Sequence, residues 1–449
     1  MKMPRTLASL LTVTMVIGLT GCSVYSNNDT GQPGHGRGKA DSFGAFTGDT
    51  RTSSKESVLD TSGLAHQKPT DPSIPATVSL RALQQSNTYY NLSMATGEVG
   101  YRWGYVNGQL AMERTEDQGK SWYSLTLPLA LRLDQMKAGT GALENPNVQV
   151  VDPDSVYVFA VIGSRLLSLH TADAGHDWTQ TSLPLATGGL QLASVSLLGD
   201  QDGWMLLRGQ GKQSGIHELY HLQDHATKAT LLHVRPNAKD AGLPSGAQAV
   251  VSFTNPQKGW LVAATTASAV QLYMTNDAGR TWSSKTLPAP QELTGWKAVL
   301  VYQPAILEQE GSFLVRYARQ TGAKMQYQVA GFRSINGGLQ FKSRVEDQLQ
   351  DAMASYTGDP AYFLNPDYGW AINDQRLVAT WDGGMTWRTI HSSSFEPILH
   401  AYPRILGIDF VSDTVGYCLL QSADYKKTAF VHLTENGTTT WLQAEIVSH

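Results

Sequence analysis

The string His217-Glu218-Leu219-Tyr220-His221 is the sharpest chemical signal in this chain. On a helix, two imidazoles four residues apart share one face and chelate zinc while the glutamate serves as base. Here the string sits where sister segments of the chain place a strand. In a strand, residues four apart stand about 13 Å from each other at ~3.3 Å per residue, too far to share one ion. His225 and His233 follow without a ligand spacing. The segment therefore reads as a strand, and no metal ligand, catalytic residue or cofactor is expected from it. Two aromatics, Trp296 and Tyr402, lie in stretches between repeat units, which such folds expose on one face, and they are the candidates for ligand contact.

The element that positions everything else is an eight-residue string written six times: Thr115 to Trp122, Thr171 to Trp178, Thr275 to Trp282, Ser334 to Phe341, Thr380 to Trp387 and Thr434 to Trp441. Each copy reads as a turn between two strands. The acid or amide at the third position (Asp117, Asp173, Asp277, Asn336, Asp382, Asn436) accepts hydrogen bonds from backbone N–H groups of its own turn. The glycine at the fifth position (Gly119, Gly175, Gly279, Gly338, Gly384) supplies a positive φ. The last copy has Thr438 there instead. The closing aromatic opens the outgoing strand and buries an apolar face.

This pattern resembles the Asp box, or bacterial neuraminidase repeat. The resemblance implies a structural turn at the blade periphery, away from any active site, so these residues are read as scaffold. It also raises sialidase chemistry, which needs three arginines gripping a carboxylate and paired acids. Arg102, Arg316 and Arg404 are the arginines considered, and they read as surface charges. The Arg-Ile-Pro motif of that family has no counterpart before Thr115, where the family carries it.

Copies recur every 46 to 59 residues except for one gap of 104, so one box has decayed. The segment His221 to Thr227 falls near the middle of that gap. A second marker, an aromatic that usually follows glycine and opens an apolar strand, precedes each box: Tyr101, Tyr157, Trp204, Trp260, Phe313, Trp370 and Tyr417. Seven markers and seven boxes imply an all-β, seven-bladed β-propeller over residues 74–449. The alternating run Ala76 to Leu83 is expected to join the last blade and close the ring, removing free sheet edges. Residues 129–150 and 343–358 read as long insertions between blades. The second has Val345, Leu349, Met353 and Tyr356 at helical spacing. The Gly-Trp strand paired with such a box also resembles the photosystem II assembly-factor-like propellers over roughly residues 85–447. That resemblance implies a binding or assembly platform, not a photosystem role.

The ends say where the protein works. Lys2 and Arg5 precede the apolar run Leu7 to Leu19, a secretory signal over residues 1–21. The sequence Leu19-Thr20-Gly21-Cys22 resembles the bacterial lipobox, which implies cleavage before Cys22 and diacylglycerol on its sulfur. The remaining cysteine, Cys418, lies in an apolar strand and reads as a small buried hydrophobe. Residues 22–73 are rich in Gly, Ser, Thr, Asp and Asn and cannot bury enough surface to fold, so they read as a tether reaching about 40 Å. Ser23 follows the cysteine in place of the Asp that often retains lipoproteins at the inner membrane, which bears on location only in a cell with two membranes. A net charge of −4 without a basic run argues against nucleic acid. The expected partners are a membrane, through the lipid, and a protein or glycan ligand. A sialidase-like glycoside hydrolase and a structural envelope protein are the alternatives.

Overall fold

The computed structural model describes residues 89–106, 109–128, 147–209, 217–234, 248–264, 267–346, 349, 361–373, 375–424 and 427–434. They form seven antiparallel sheets, each the blade of a seven-bladed β-propeller. Blade 1 holds β1 (Tyr89–Met94), β2 (Gly100–Val106), β3 (Gln109–Thr115) and β4 (Tyr123–Leu125). Blade 2 holds β5 (Asn147–Val150), β6 (Val156–Ile162), β7 (Arg165–Thr171) and β8 (Thr179–Pro184). Blade 3 holds β9 (Gln191–Leu198), β10 (Asp202–Arg208), β11 (His217–Gln223) and β12 (Lys228–Val234). Blade 4 holds β13 (Gln248–Phe253), β14 (Gly259–Ala264), β15 (Val270–Thr275) and β16 (Ser283–Leu287). Blade 5 holds β17 (Lys297–Val301), the short β18 (Ala305–Leu307), β19 (Glu310–Thr321), β20 (Lys324–Ser334) and β21 (Lys342–Val345). Blade 6 holds β22 (Ala361–Phe363), β23 (Gly369–Asn373), β24 (Arg376–Thr380) and β25 (Arg388–Ile390). Blade 7 shows β26 (Arg404–Phe410), β27 (Val415–Gln421) and β28 (Thr428–Thr434), with helix α1 (Glu396–Ala401) leading into it.

The second strand of each blade is covered on both faces by neighbouring blades, so it reads as a continuous apolar run. All six residues of β14 are buried, whereas β8 on the rim alternates between exposed and half-covered. The core is therefore divided into layers between blades. Trp204 of blade 3 lies with Ala249, Val251 and Phe253 of blade 4, and Trp370 of blade 6 with Phe410 of blade 7.

The marker aromatics also carry the polar link from blade to blade. Tyr101 donates to Pro153 O at 2.6 Å, Tyr157 to Asp200 O at 3.1 Å and Tyr417 to Gly97 O at 2.5 Å. Trp204 donates through Nε1 to Ala278 O at 2.9 Å. In each case the ring fills the layer and its polar tip satisfies a turn of the next blade.

Blade 7 packs on blade 1 and closes the ring. Leu406, Tyr417, Leu419 and Phe430 meet Leu92 and Met94, and Met94 N donates to Asp409 Oδ2 at 2.6 Å. The expected closing strand, Ala76 to Leu83, and the last box, with Asn436 and Trp441, lie outside the described residues. So do Cys22 and the rest of residues 1–73, read from the sequence as leader and tether. Cys418 is a free, fully buried thiol in the layer between blades 6 and 7.

Two segments differ from the sequence reading. Val345 pairs with Ala330 as the end of β21, because blade 5 needs a fourth strand, so the helical spacing does not start there. Asn147–Val150 is the first strand of blade 2 and not insertion. The other expected members of the insertion helix, Met353 and Tyr356, lie outside the described residues, and Leu349 is buried beside Tyr302 and Leu314.

Burial raises the Asp409 carboxyl to about 6, against the hydrogen bond from Met94 that favours its charge. A raised acid favours the folded state fully below the unfolded value near 3.8, and that contribution is lost as pH rises through about 6. At neutral pH the ionised carboxylate thus costs the ring as much as about 3 kcal/mol. Asp409→Asn keeps an acceptor for Met94 and removes the charge. It is expected to raise the denaturation midpoint at pH 7, with no gain at pH 4. A gain equal at both pH values would contradict the assignment.

Candidate functional site

The repeated acids are spent on their own turns. In the first box, Thr115 Oγ1 donates to Asp117 Oδ1 at 2.9 Å and accepts from Gly119 N at 2.9 Å. Ser121 donates to Asp117 through its backbone N at 2.8 Å and its hydroxyl at 2.6 Å. The same net closes around Asp277 and Asp382, and its backbone part around Asp173. Asn336 makes it without a charge, accepting from Gln340 N at 2.9 Å. The net needs an oxygen acceptor rather than an acid. Burial resists the charge of Asp277, but hydrogen bonds from Thr281 and Thr275 outweigh it and hold the carboxyl at about 2. A carboxylate so held is a poor proton carrier near neutrality. Gly119, Gly175, Gly279, Gly338 and Gly384 all take a φ between 83° and 89°.

The third box has worn in a definite register. Gly100 pairs with Thr115 in blade 1 and Gly203 with Leu222 in blade 3, so Leu222 stands at the threonine position. Asp224 keeps the acid position, and Ala226 replaces the glycine.

Strand alternation divides the ring into two faces. Turns joining first to second and third to fourth strands lie at one end of each blade; turns joining second to third strands, and the links between blades, lie at the other. The boxes belong to the first end. There Gln118 N bonds Glu98 O at 3.0 Å, Ala174 N bonds Asp154 O at 2.9 Å and Ala278 N bonds Gln257 O at 2.9 Å, each within one blade. Trp296, Tyr402 and helix α1 belong to the second end.

On that second face blade 5 departs from its sisters. Its middle strands have 12 and 11 residues, against five to seven in the other blades. Five further residues at ~3.3 Å each lift the hairpin by about 16 Å. From Arg319 to Tyr327 every residue is exposed, and Met325 and Tyr327 show 50% and 41% of their surface. The Arg316 guanidinium lies 4.0 Å from the Tyr327 ring centre, and Arg319 lies 4.5 Å from that of Trp296. Both distances are within cation–π range. Such an end is aromatic and cationic at once.

Trp296 itself is only 6% exposed; it packs with Leu293, Val301 and Tyr317, and Arg319 covers its ring. Tyr402 is half-buried against the layer between blades 6 and 7, and burial raises its phenol pKa. The structure therefore places both aromatics on one face but at different blade junctions, with the hairpin over the first. Met325 and Tyr327 escaped the sequence reading. The visible signal was an alternating run either side of Gly322, longer than any other blade carries.

The remaining candidates are engaged in place. Arg102 Nε donates to Glu113 at 2.6 Å under the Trp122 ring, within blade 1. Arg404 is buried on the first strand of blade 7, so Arg102 and Arg404 are not the surface charges expected from the sequence: the layers between blades cover them. Residues His217 to His221 lie inside β11: His221 meets Asp202 at 2.9 Å and stacks on Trp204, while Glu218 accepts from Tyr220 at 2.6 Å. The two histidines and the glutamate alternate across a strand, so the zinc-protease geometry is not formed.

No family model matches this chain, and no curated protein matches it. Among solved structures it is similar to the GH74 xyloglucanase from Xanthomonas campestris, with TM-score 0.46 and 15% identity over 83% of this chain and 56% of that one. The chain thus spans little more than half the xyloglucanase. It is also similar to YCF48 from Cyanidioschyzon merolae, with TM-score 0.43 and 14% identity over 75% of this chain and 94% of that one. A fucose-specific lectin from Aleuria aurantia gives TM-score 0.37 and 9% identity over 80% and 94% of the two chains. Likeness at this level assigns no residue and no activity.

Proposed function

We propose that this protein is an extracytoplasmic lipoprotein whose ring serves as a binding or assembly platform for a protein or glycan of the cell envelope. The observation that carries the reading is the blade 5 hairpin, an exposed aromatic and cationic end on an otherwise regular ring. Recognition would proceed by burying Met325 and Tyr327 against the partner, with Arg316 and Arg319 already held over aromatic rings. A preordered contact loses little side-chain entropy on binding. No covalent step is involved, since the repeated carboxylates hold turns. Cross-linking on intact cells, followed by identification of the captured molecules, tests the reading. One dominant partner supports it. Diffuse capture of abundant neighbours would favour a structural envelope protein, and release of reducing sugar by the purified chain would favour a glycoside hydrolase.

The anchor rests on the sequence. The leader over residues 1–21 is removed, Cys22 carries diacylglycerol, and residues 22–73 tether the ring to the membrane. A second acyl chain makes the attachment stable where a single one would be reversible. Cells fed a fatty-acid probe are expected to label the wild-type chain and leave Cys22→Ala unlabelled. Label persisting on the variant would refute the anchor.

A further inference from the structure

The worn third box brings together side chains that no other blade junction gathers among the described residues. His170 is the penultimate residue of β7 in blade 2, Asp200 lies in the turn between β9 and β10, and His225 lies in the turn after β11. All three belong to the face that carries the boxes. One ligand atom from each lies within 4.8 Å of the other two, and His170 Nε2 stands 3.8 Å from Asp200 Oδ1. The cluster spans a blade junction, so nothing in sequence spacing marks it.

The wear itself makes the cluster. In the intact boxes, the residue between the acid and the glycine is Gln118, Ala174, Ala278, Gly337 or Gly383. Blade 3 puts His225 there, in a run of three left-handed residues, Asp224, His225 and Ala226. The turn swings the imidazole to within 5.1 Å of the His170 ring, centre to centre. Tyr157 backs His170 at 4.1 Å and fixes its plane.

Two arrangements compete for these groups. A Ser-His-Asp relay needs the acid on one imidazole nitrogen and the serine on the other. Here Ser155 Oγ donates to Asp200 itself and lies 3.3 Å from His170 Nε2, so acid and serine share one nitrogen. That is not a nucleophile relay. A metal is different, because it asks only that lone pairs converge. His225 Nδ1 is buried without a hydrogen-bond partner, an independent sign that the cluster lacks a constituent. His225 Nε2 meets the Gln201 amide at 3.0 Å. With that amide turned to present its oxygen, it would accept the Nε2–H and leave Nδ1 as a lone-pair donor, the outer support that ligating histidines usually have.

We infer that His170, Asp200 and His225 form a zinc site clamping blades 2 and 3 at the worn box. Two imidazoles and one carboxylate suit zinc, whose ligand atoms stand about 3.3 Å apart in a tetrahedron with bonds of about 2.0–2.1 Å. Binding draws the three side chains inward by about an ångström, turns the His225 ring out of its near-parallel stack with His170 (15° between planes) so that both lone pairs meet the ion, and leaves a fourth position for water.

The test uses the full chain in detergent, stripped with chelator and titrated with zinc chloride. One ion per chain and a raised denaturation midpoint are expected, with cobalt giving the intense visible bands of a tetrahedral site. His225→Ala is expected to abolish both. Asp200→Asn, which retains an acceptor for Ser155, provides a variant that folds and still loses the ion. Gln201→Ala is expected to weaken binding by about 10–100-fold. His391→Ala, on the exposed surface of blade 6, is the control and keeps wild-type binding. Absence of stoichiometric binding, or undiminished binding by Asp200→Asn and His225→Ala, would overturn the assignment.

Discussion

Trp204→Ala is expected to destabilise the ring by about 4 kcal/mol, as large-to-small changes at fully packed aromatics do. Trp204 is fully buried, lies 3.6 Å from the Phe253 ring at 7° and stacks on His221 from the other side. Its Nε1 donates to Ala278 O, inside the fourth box. Truncation opens a void between blades 3 and 4 and strips a buried carbonyl of its donor, and the two costs combine. Trp204→Phe keeps a stacking ring and loses the hydrogen bond, so it should cost about 1–2 kcal/mol. Equilibrium unfolding in urea reads both. A loss below about 1 kcal/mol for Trp204→Ala would show that the layers between blades do not carry the stability argued for them.

The second large effect is expected at Gly119, which joins blade 1 to blade 7. Its φ is +85°, and a β-carbon there would lie 2.0 Å from Phe430. Phe430 in turn meets the Trp122 ring edge-on at 5.2 Å. Valine at this position adds left-handed strain and forces Phe430 out of the closing layer, for about 4 kcal/mol in all. Gly175 separates the two causes. It has nearly the same φ, +89°, but a β-carbon would be 3.0 Å from the flexible end of Leu125. Gly175→Ala should therefore cost mainly the backbone strain of about 1–2 kcal/mol, and Gly119→Ala distinctly more. Equal costs would mean that Phe430 moves freely and that ring closure is looser than the packing shows.

The fold was legible because its signals repeat. A turn pattern and an aromatic strand marker, each recurring once per blade, specify seven sheets even where one box has lost its threonine, glycine and tryptophan. What repeats is also what the ring uses for its own packing, as Tyr101, Tyr157, Trp204 and Tyr417 show by reaching into the next blade. The departures were harder to read. Val345 fits a helical spacing and sits in a strand, because the fourth strand of a blade is set by its pairing partner Ala330 rather than by its own pattern. Trp296 looks available in a linker and is covered, because Arg319 arrives from a hairpin 23 residues further on. The His170, Asp200 and His225 cluster draws on one strand and two turns in two blades, a relation that linear spacing does not encode.

The central claim, that recognition is carried by the blade 5 hairpin, makes the two faces of the ring unequal. A photoreactive amino acid placed at Tyr327, on the hairpin, and at Trp381, exposed in a box of blade 6 on the opposite face, compares them directly in intact cells. The account predicts a discrete adduct from position 327, lost when Met325 is changed to serine, and none from position 381. Adducts from 381 alone, or from neither position, would contradict it.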